Sequence, residues 1–238
     1  MIKNITDSDG KKVFSFDLIK LPIHDQYNNA NPFPHIVIDK FFMPSVLNRI
    51  LKDWPSFEHI DHEYHDDGIF CKHKFGTNYH SDLSPYIKNI FYNLSHPVFL
   101  NFLSNLTGIP RLIPDPYYFG GGLHESRNDG FLSIHADFNK HPIYKFIRRL
   151  NLIVFLNKRW KSEYGGQLEL WSQDGKKKVT SVEPLFNRAV IFNTDSNNFH
   201  GHPSPLNIKK NSARRSMAFY YYTNQAENSI KEHSTIWK

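Results

Sequence analysis

Phe131-Leu132-Ser133-Ile134-His135-Ala136-Asp137 is a run of strand-forming residues that ends on two side chains able to ligate a metal. Side chains at i and i+2 of a strand share a face, with their Cα atoms roughly 6.5 to 7 Å apart, so His135 and Asp137 can reach one ion. Outward from this run, strand-like stretches recur at 149–157, 166–171, 188–193 and 214–223, and the segments between them carry Gly, Asn, Asp and Pro. Several short strands at this spacing predict a sandwich or barrel. The 20 Phe and 12 Tyr suit packed sheets better than helical bundles. The expected class is mainly β, α+β overall.

The first half reads as mixed. Residues 43–54 place apolar side chains at 43, 46, 47, 50, 51 and 54, with Pro44 in the first turn and Pro55 as a stop, which predicts an amphipathic helix. A second helix follows Ser84-Pro85 to about Leu94, and a third runs from a Ser95 cap through Pro97 to Thr107, closed by Gly108. Residues 34–39 form a short strand. Between them, 59–68 is crowded with His, Asp and Glu but has no His-Glu-x-x-His pair; it reads as a solvated polar loop, or else as a loop covering substrate. With 238 residues the chain fits one domain overall, divided into a mixed N-terminal region (1–110), a β core (111–225) and a tail (226–238).

No apolar stretch is long enough to cross a bilayer and the first residues lack an apolar leader, so the cytoplasm is the expected location and no membrane partner is expected. The single Cys71 excludes an internal disulfide and a thiolate zinc finger, which leaves nitrogen and oxygen ligands for any metal. Cys71 reads as a buried structural thiol. The net charge of +6, with basic clusters at 145–149, 176–178 and 209–210, is read as solvated surface. A nucleic-acid partner is not expected, since no helical sequence is basic along one face.

His-x-Asp alone identifies nothing here, because it occurs at 59/61, 65/67, 80/82 and 135/137. Only the last copy lies in a strand-forming run. His200, in Phe-His-Gly-His-Pro after the strand at 188–193, supplies a remote third ligand, and two histidines with one carboxylate form the facial set of non-heme iron(II) oxygenases. His202 competes with His200 or serves behind it. In 214–223 the residues Arg214, Ser216, Ala218, Tyr220 and Tyr222 share a face; if it lines the barrel, Arg214 can take a carboxylate bidentately with help from the Ser216 hydroxyl. Arg215 replaces it if the register shifts by one.

Residues from roughly 117 to 223 resemble the iron(II)/2-oxoglutarate dioxygenase superfamily, in particular its prolyl-4-hydroxylase-like branch. The resemblance rests on His135-Ala136-Asp137, the stretch 149–160, Gly165-Gly166-Gln167-Leu168-Glu169-Leu170, 184–188, His200-Gly201-His202-Pro203 and Arg214-Arg215-Ser216. It implies a double-stranded β-helix, or jelly roll, with supporting N-terminal helices. It also implies Fe(II) on His135, Asp137 and His200, with no catalytic residue beyond these ligands, 2-oxoglutarate on Arg214, O2 as oxidant, and the ascorbate-assisted turnover common in the family. Asn151 and Phe155 fall on a strand where relatives contact the cosubstrate. Relatives often have tyrosine at Phe155, and His124, after the glycine run 120–122, is the candidate replacement. The implied reaction is hydroxylation of an unactivated C–H bond of a small-molecule or peptidyl, proline-like substrate, with succinate and CO2 released; Asp137 favours hydroxylation over halogenation. The segments 56–82 and 141–148 are expected to cover the mouth. The alternatives are a jelly roll that binds a metal or sugar without turnover, and an oxygenase acting on nucleic acid. Oligomeric state is left open.

Overall fold

The computed structural model describes residues 5–16, 24–224 and 231–238. Twelve strands occur among the described residues: β1 His35–Asp39, β2 His62–His65, β3 Cys71–Thr77, β4 Ile113–Pro114, β5 Gly122–Ala136, β6 Ile147–Phe155, β7 Leu168–Trp171, β8 Lys178–Val182, β9 Arg188–Asn193, β10 His200–His202, β11 Ala213–Thr223 and β12 Ile236–Trp237. The helices are α1 His24–Asn28, α2 Pro44–Lys52, α3 Pro85–Leu94 and α4 Pro97–Thr107. The main path of the sheet runs β1-β9-β6-β11-β5-β10-β7-β8, and β5 also carries β3 and β12. All pairings between these strands are antiparallel, and the sheet curls into a jelly roll.

Strand alternation divides the molecule into a helix-packed side and an interior. Leu150, Leu152 and Val154 of β6, Ala189 and Ile191 of β9, and Met217, Phe219 and Tyr221 of β11 join one apolar cluster with Ile87, Ile90 and Phe91 of α3 and Phe99, Phe102 and Leu103 of α4. The intervening residues Ile153, Phe155, Val190 and Phe192 point the other way and pack with Leu168 and Leu170. This period of two arises from the pleat. It leaves Asn151 and Arg214, on the interior face, free to line a cavity.

The three expected helices are present. Ser84 caps α3 by accepting from the Ile87 N–H at 3.3 Å. The cap of α4 is His96 rather than Ser95: its Nδ1 accepts from the Val98 N–H at 3.2 Å, placing Pro97 in the first position, where the absent N–H costs nothing. Gly108 closes α4 in the left-handed region, as expected.

One expectation is corrected here. Residues 59–68 are not wholly loop, because β2 pairs with β3 from His62↔Thr77 to His65↔Lys74. Across residue 110, β1 adds to β9 and β3 adds to β5, so one sheet draws strands from both regions. The signals missed were the polar strands β2 and β3, held by backbone pairing of β2 to β3 and of β3 to β5 rather than by their own hydrophobicity. No helix among the described residues is long and apolar enough to cross a membrane.

Candidate active site

His135 and His200 are direct partners across the β5–β10 ladder, so the two remote segments meet through backbone pairing. Gly201 lets them come close: a Cβ there would stand 2.7 Å from the Ser133 carbonyl oxygen. His135 Nε2 lies 3.7 Å from Asp137 Oδ1, and His200 Nε2 lies 3.4 Å from Asp137 Oδ2. All three donor atoms fall within 4.8 Å of one another. Each histidine turns its other nitrogen to a backbone carbonyl, Nδ1 donating to Ser133 O at 2.8 Å in His135 and to Asn198 O at 3.1 Å in His200. A carbonyl only accepts, so Nδ1 carries the proton and Nε2 keeps its lone pair facing the cluster. Burial pushes His135 down to about 3, the His200 charge adding to the effect, and burial lowers His200 as well. Both rings are therefore neutral at pH 7, the form that binds a metal.

Asp137 stands one residue beyond the end of β5. Its side chain is held by two donors on one oxygen: Asn151 Nδ2 at 2.8 Å and Arg148 Nη2 at 3.1 Å, both to Oδ2. Arg148 also donates to Asn151 Oδ1 through Nε at 3.1 Å and Nη2 at 2.7 Å. Burial works against the Asp137 carboxylate, but Arg148 and the two histidines overcome it and hold its pKa below the usual range. The guanidinium lies 3.4 Å from the ring centre of Tyr220 and 4.6 Å from that of Phe138. Arg148 is 2% exposed; the basic cluster at 145–149 is thus not all surface. The wider expectation for 141–148 is corrected too, since only Arg148 of that segment lines the cavity and His141 is buried beside Asp115 at 3.4 Å.

The cavity holds about 670 Å³. Arg214 reaches it from β11, is buried, and makes one hydrogen bond, Nε to Gly166 O at 2.7 Å. Its guanidinium lies 5.0 Å from the Phe155 ring centre, and burial lowers its pKa to about 10. No carboxylate pairs with it among the described residues, so a buried cation faces the cavity uncompensated. Arg215 points to the other face, donating from Nε to Glu125 at 3.1 Å and covering Trp54. That settles which arginine faces inward. Ser216, Ala218 and Tyr220 line the same cavity as expected, whereas a register shift at Tyr221/Tyr222 carries Tyr222 away to pack on His141.

Asn151, expected near the cosubstrate, lines the cavity with its amide engaged by Asp137 and Arg148. His124, opposite Ser216 in the β5–β11 ladder, lines it too, and burial holds its pKa well below the ordinary value. His202 lies outside the three-ligand cluster; its Nδ1 is buried without a partner among the described residues, and burial, then Arg214, keeps it neutral. From 56–82, the hairpin β2–β3 supplies Glu63, His65 and Lys74 to the lining. Cys71 is buried, as expected, at the same wall. Sequence reading missed Arg148, Lys74 and Trp237, whose ring centre lies 5.0 Å from that of His135.

Residues 121–222 match the family model of the 2OG-Fe(II) oxygenase superfamily. The match covers the jelly-roll core and less than half of the chain. Among solved structures the chain resembles a prolyl-4-hydroxylase of Pseudomonas putida, at 14% identity and a TM-score of 0.60 over 85% of this chain and 98% of that one. A prolyl hydroxylase of Trichoplax adhaerens, in complex with a hypoxia inducible factor peptide, aligns at 17% identity and 0.61 over 88% and 92%. HygX of Streptomyces hygroscopicus, with nickel, 2-oxoglutarate and hygromycin B bound, aligns at 12% and 0.54 over 85% and 92%. At these identities the likeness is one of fold.

Proposed function

We propose that His135, Asp137 and His200 hold Fe(II), that Arg214 and Ser216 receive the distal carboxylate of 2-oxoglutarate, and that the chain hydroxylates an unactivated C–H bond of a small-molecule or peptidyl substrate. The observation that carries this reading is the buried Arg214, without an anionic partner among the described residues, on the wall of the same cavity as three converging metal-ligating atoms. Iron(II) and 2-oxoglutarate, when bound, supply the oxidising chemistry that places one oxygen atom of O2 in the substrate and releases succinate and CO2.

The chain's own residues prepare the place for it. The Nδ1 bonds to Ser133 and Asn198 fix both imidazoles with Nε2 forward. Asn151 and Arg148 occupy Asp137 Oδ2, so Oδ1 is the oxygen left to a metal. Arg214 offers two guanidinium nitrogens beyond the one bonded to Gly166, which suits a bidentate carboxylate. His124 lies where a second cosubstrate contact fits, since Phe155 has no hydroxyl to give. The apolar packing of Ile153, Phe155 and Phe192 excludes water behind the site. A free Cys71 suits a reducing compartment, and the cytoplasm is the proposed location.

The test is anaerobic addition of Fe(II) and 2-oxoglutarate, followed by the weak visible absorption of the chelate and by succinate release in air. Arg214→Met should weaken 2-oxoglutarate binding by about 2–5 kcal/mol, the usual loss when one side of a buried charged pair is removed, while Arg215→Met leaves it unchanged. Loss of binding in Arg215→Met alone, or a chelate band that survives Asp137→Ala, would refute the assignment.

A further inference from the structure

Lys74 should project outward by the rule of alternation, yet it lines the cavity. In β3, Cys71 faces the cavity and Lys72 turns out to pair with Asp129. His73 then takes a φ of 48°, and the register against β5 shifts between Lys72 and Lys74. The two steps from Lys72 to Lys74 are matched by five on β5, from Phe131 to Ser126, and with the left-handed turn at His73 this irregularity reverses the face taken by the residues after it. A left-handed non-glycine residue is a local cost that the surrounding ladder must hold in place. Its result is a lysine directed at the interior.

Asp137 and Glu63 act on the ammonium only through space, without a direct ion pair. Lys74 has neither an ion pair nor a hydrogen bond to a side chain among the described residues, and burial lowers its pKa. The acids of the cavity wall are engaged elsewhere: Glu63 lies 3.3 Å from His65, Asp66 lies 3.5 Å from His73, Asp67 accepts the N–H groups of Ile69, Phe70 and Cys71, and Asp137 pairs with Arg148. Arg214 is the other uncompensated cation of the cavity, and it is already assigned to 2-oxoglutarate. The distal carboxylate of the cosubstrate would answer Arg214 and leave Lys74 without a partner in direct contact.

We infer that Lys74 anchors a carboxylate of the substrate, and that the substrate is a small organic acid, such as a free amino acid, held beside the metal ligands. This rests on the oxygenase reading above. A volume of about 670 Å³ suits a cosubstrate with one small molecule, within the roughly 300–1,000 Å³ of ligand pockets generally. The β2–β3 hairpin, paired with β5, brings Glu63, His65 and Lys74 to the wall of that cavity.

The experiment is calorimetric titration of iron-loaded, 2-oxoglutarate-saturated protein under nitrogen. The probes are the free L-amino acids, the matching amino-acid amides, and the capped peptide acetyl-Gly-Pro-Gly-amide, with wild type, Lys74→Met and Lys74→Arg. Expected is binding of at least one free acid, no binding of its amide, loss of about 30-fold or more in Lys74→Met, and partial recovery in Lys74→Arg, with 2-oxoglutarate affinity kept within about threefold. Three outcomes overturn the inference: no free acid binds the wild type, the amide or capped peptide binds as well as the acid, or Lys74→Met loses 2-oxoglutarate to the same degree. If 2-oxoglutarate itself does not bind the wild type, the oxygenase reading fails instead, and the amino-acid titrations still judge Lys74 by themselves.

Discussion

Replacing Arg148 by methionine keeps most of its length and removes its charge. In the native state this side chain is 2% exposed, donates to Asp137 and Asn151, and lies over Tyr220. Breaking one side of a buried ion pair costs about 3–5 kcal/mol, and loss of the cation over the ring adds about 1 kcal/mol, which methionine packing offsets in part. A net loss of about 3 kcal/mol is expected, roughly two decades in the folded-to-unfolded ratio. Metal affinity should fall by about 10- to 100-fold, as for other partners that orient a ligand. The sign with pH is fixed: Asp137 has a lowered pKa in the folded state, so its contribution is present above the unfolded value of about 3.9 and is lost as pH falls through the folded one. The difference between wild type and Arg148→Met should be full at pH 7 and shrink in strong acid. Urea denaturation of the metal-free protein, with Fe(II) titration at pH 7, measures both. A shift below about 1 kcal/mol with unchanged iron affinity would refute the role given to Arg148.

Gly166→Ala places a Cβ 2.6 Å from Leu206 Cδ2 and 2.8 Å from Arg214 Cδ, at a φ of +71°. It should cost about 1–3 kcal/mol and weaken 2-oxoglutarate binding by displacing Arg214; equal affinity in the variant would sink that link. Acid should destabilise the metal-free protein below about pH 6.5, because the unfolded chain protonates its histidines while folded His135 waits until about 3. For His135 alone the loss from pH 6.5 to 5 is about 2 kcal/mol, read as the difference in urea midpoint, and His135→Gln should flatten the slope; an unchanged slope would count against it.

The core strands and the ligand set were legible because their residues obey one period. Arg188–Asn193 is met at the expected limits, and Arg214, Ser216 and Tyr220 share a face because alternation runs unbroken to Tyr220. Where the backbone departs from the period, sequence reading fails: the left-handed turn at His73 hides Lys74, and the shift at Tyr221/Tyr222 misplaces Tyr222. Arg148 was hidden for another reason. A run of Lys and Arg reads as solvated on average, and only the tertiary position of Asp137 makes one of its members interior. The polar strand β2 has no apolar alternation to read; its partner β3 holds it by main-chain bonds.

The backbone of His135 is paired on both sides, with His200 of β10 and with Trp237 of β12, whereas Asp137 lies past the end of its strand. Two of the three ligands are thus set by the scaffold and arrive already ordered, while the third is adjustable through its neighbours. Evolutionary tuning of the centre has an uneven landscape as a result. Changes at Asn151 or Arg148 can retune the carboxylate in small steps, but a change that moves either imidazole must first dismantle a sheet.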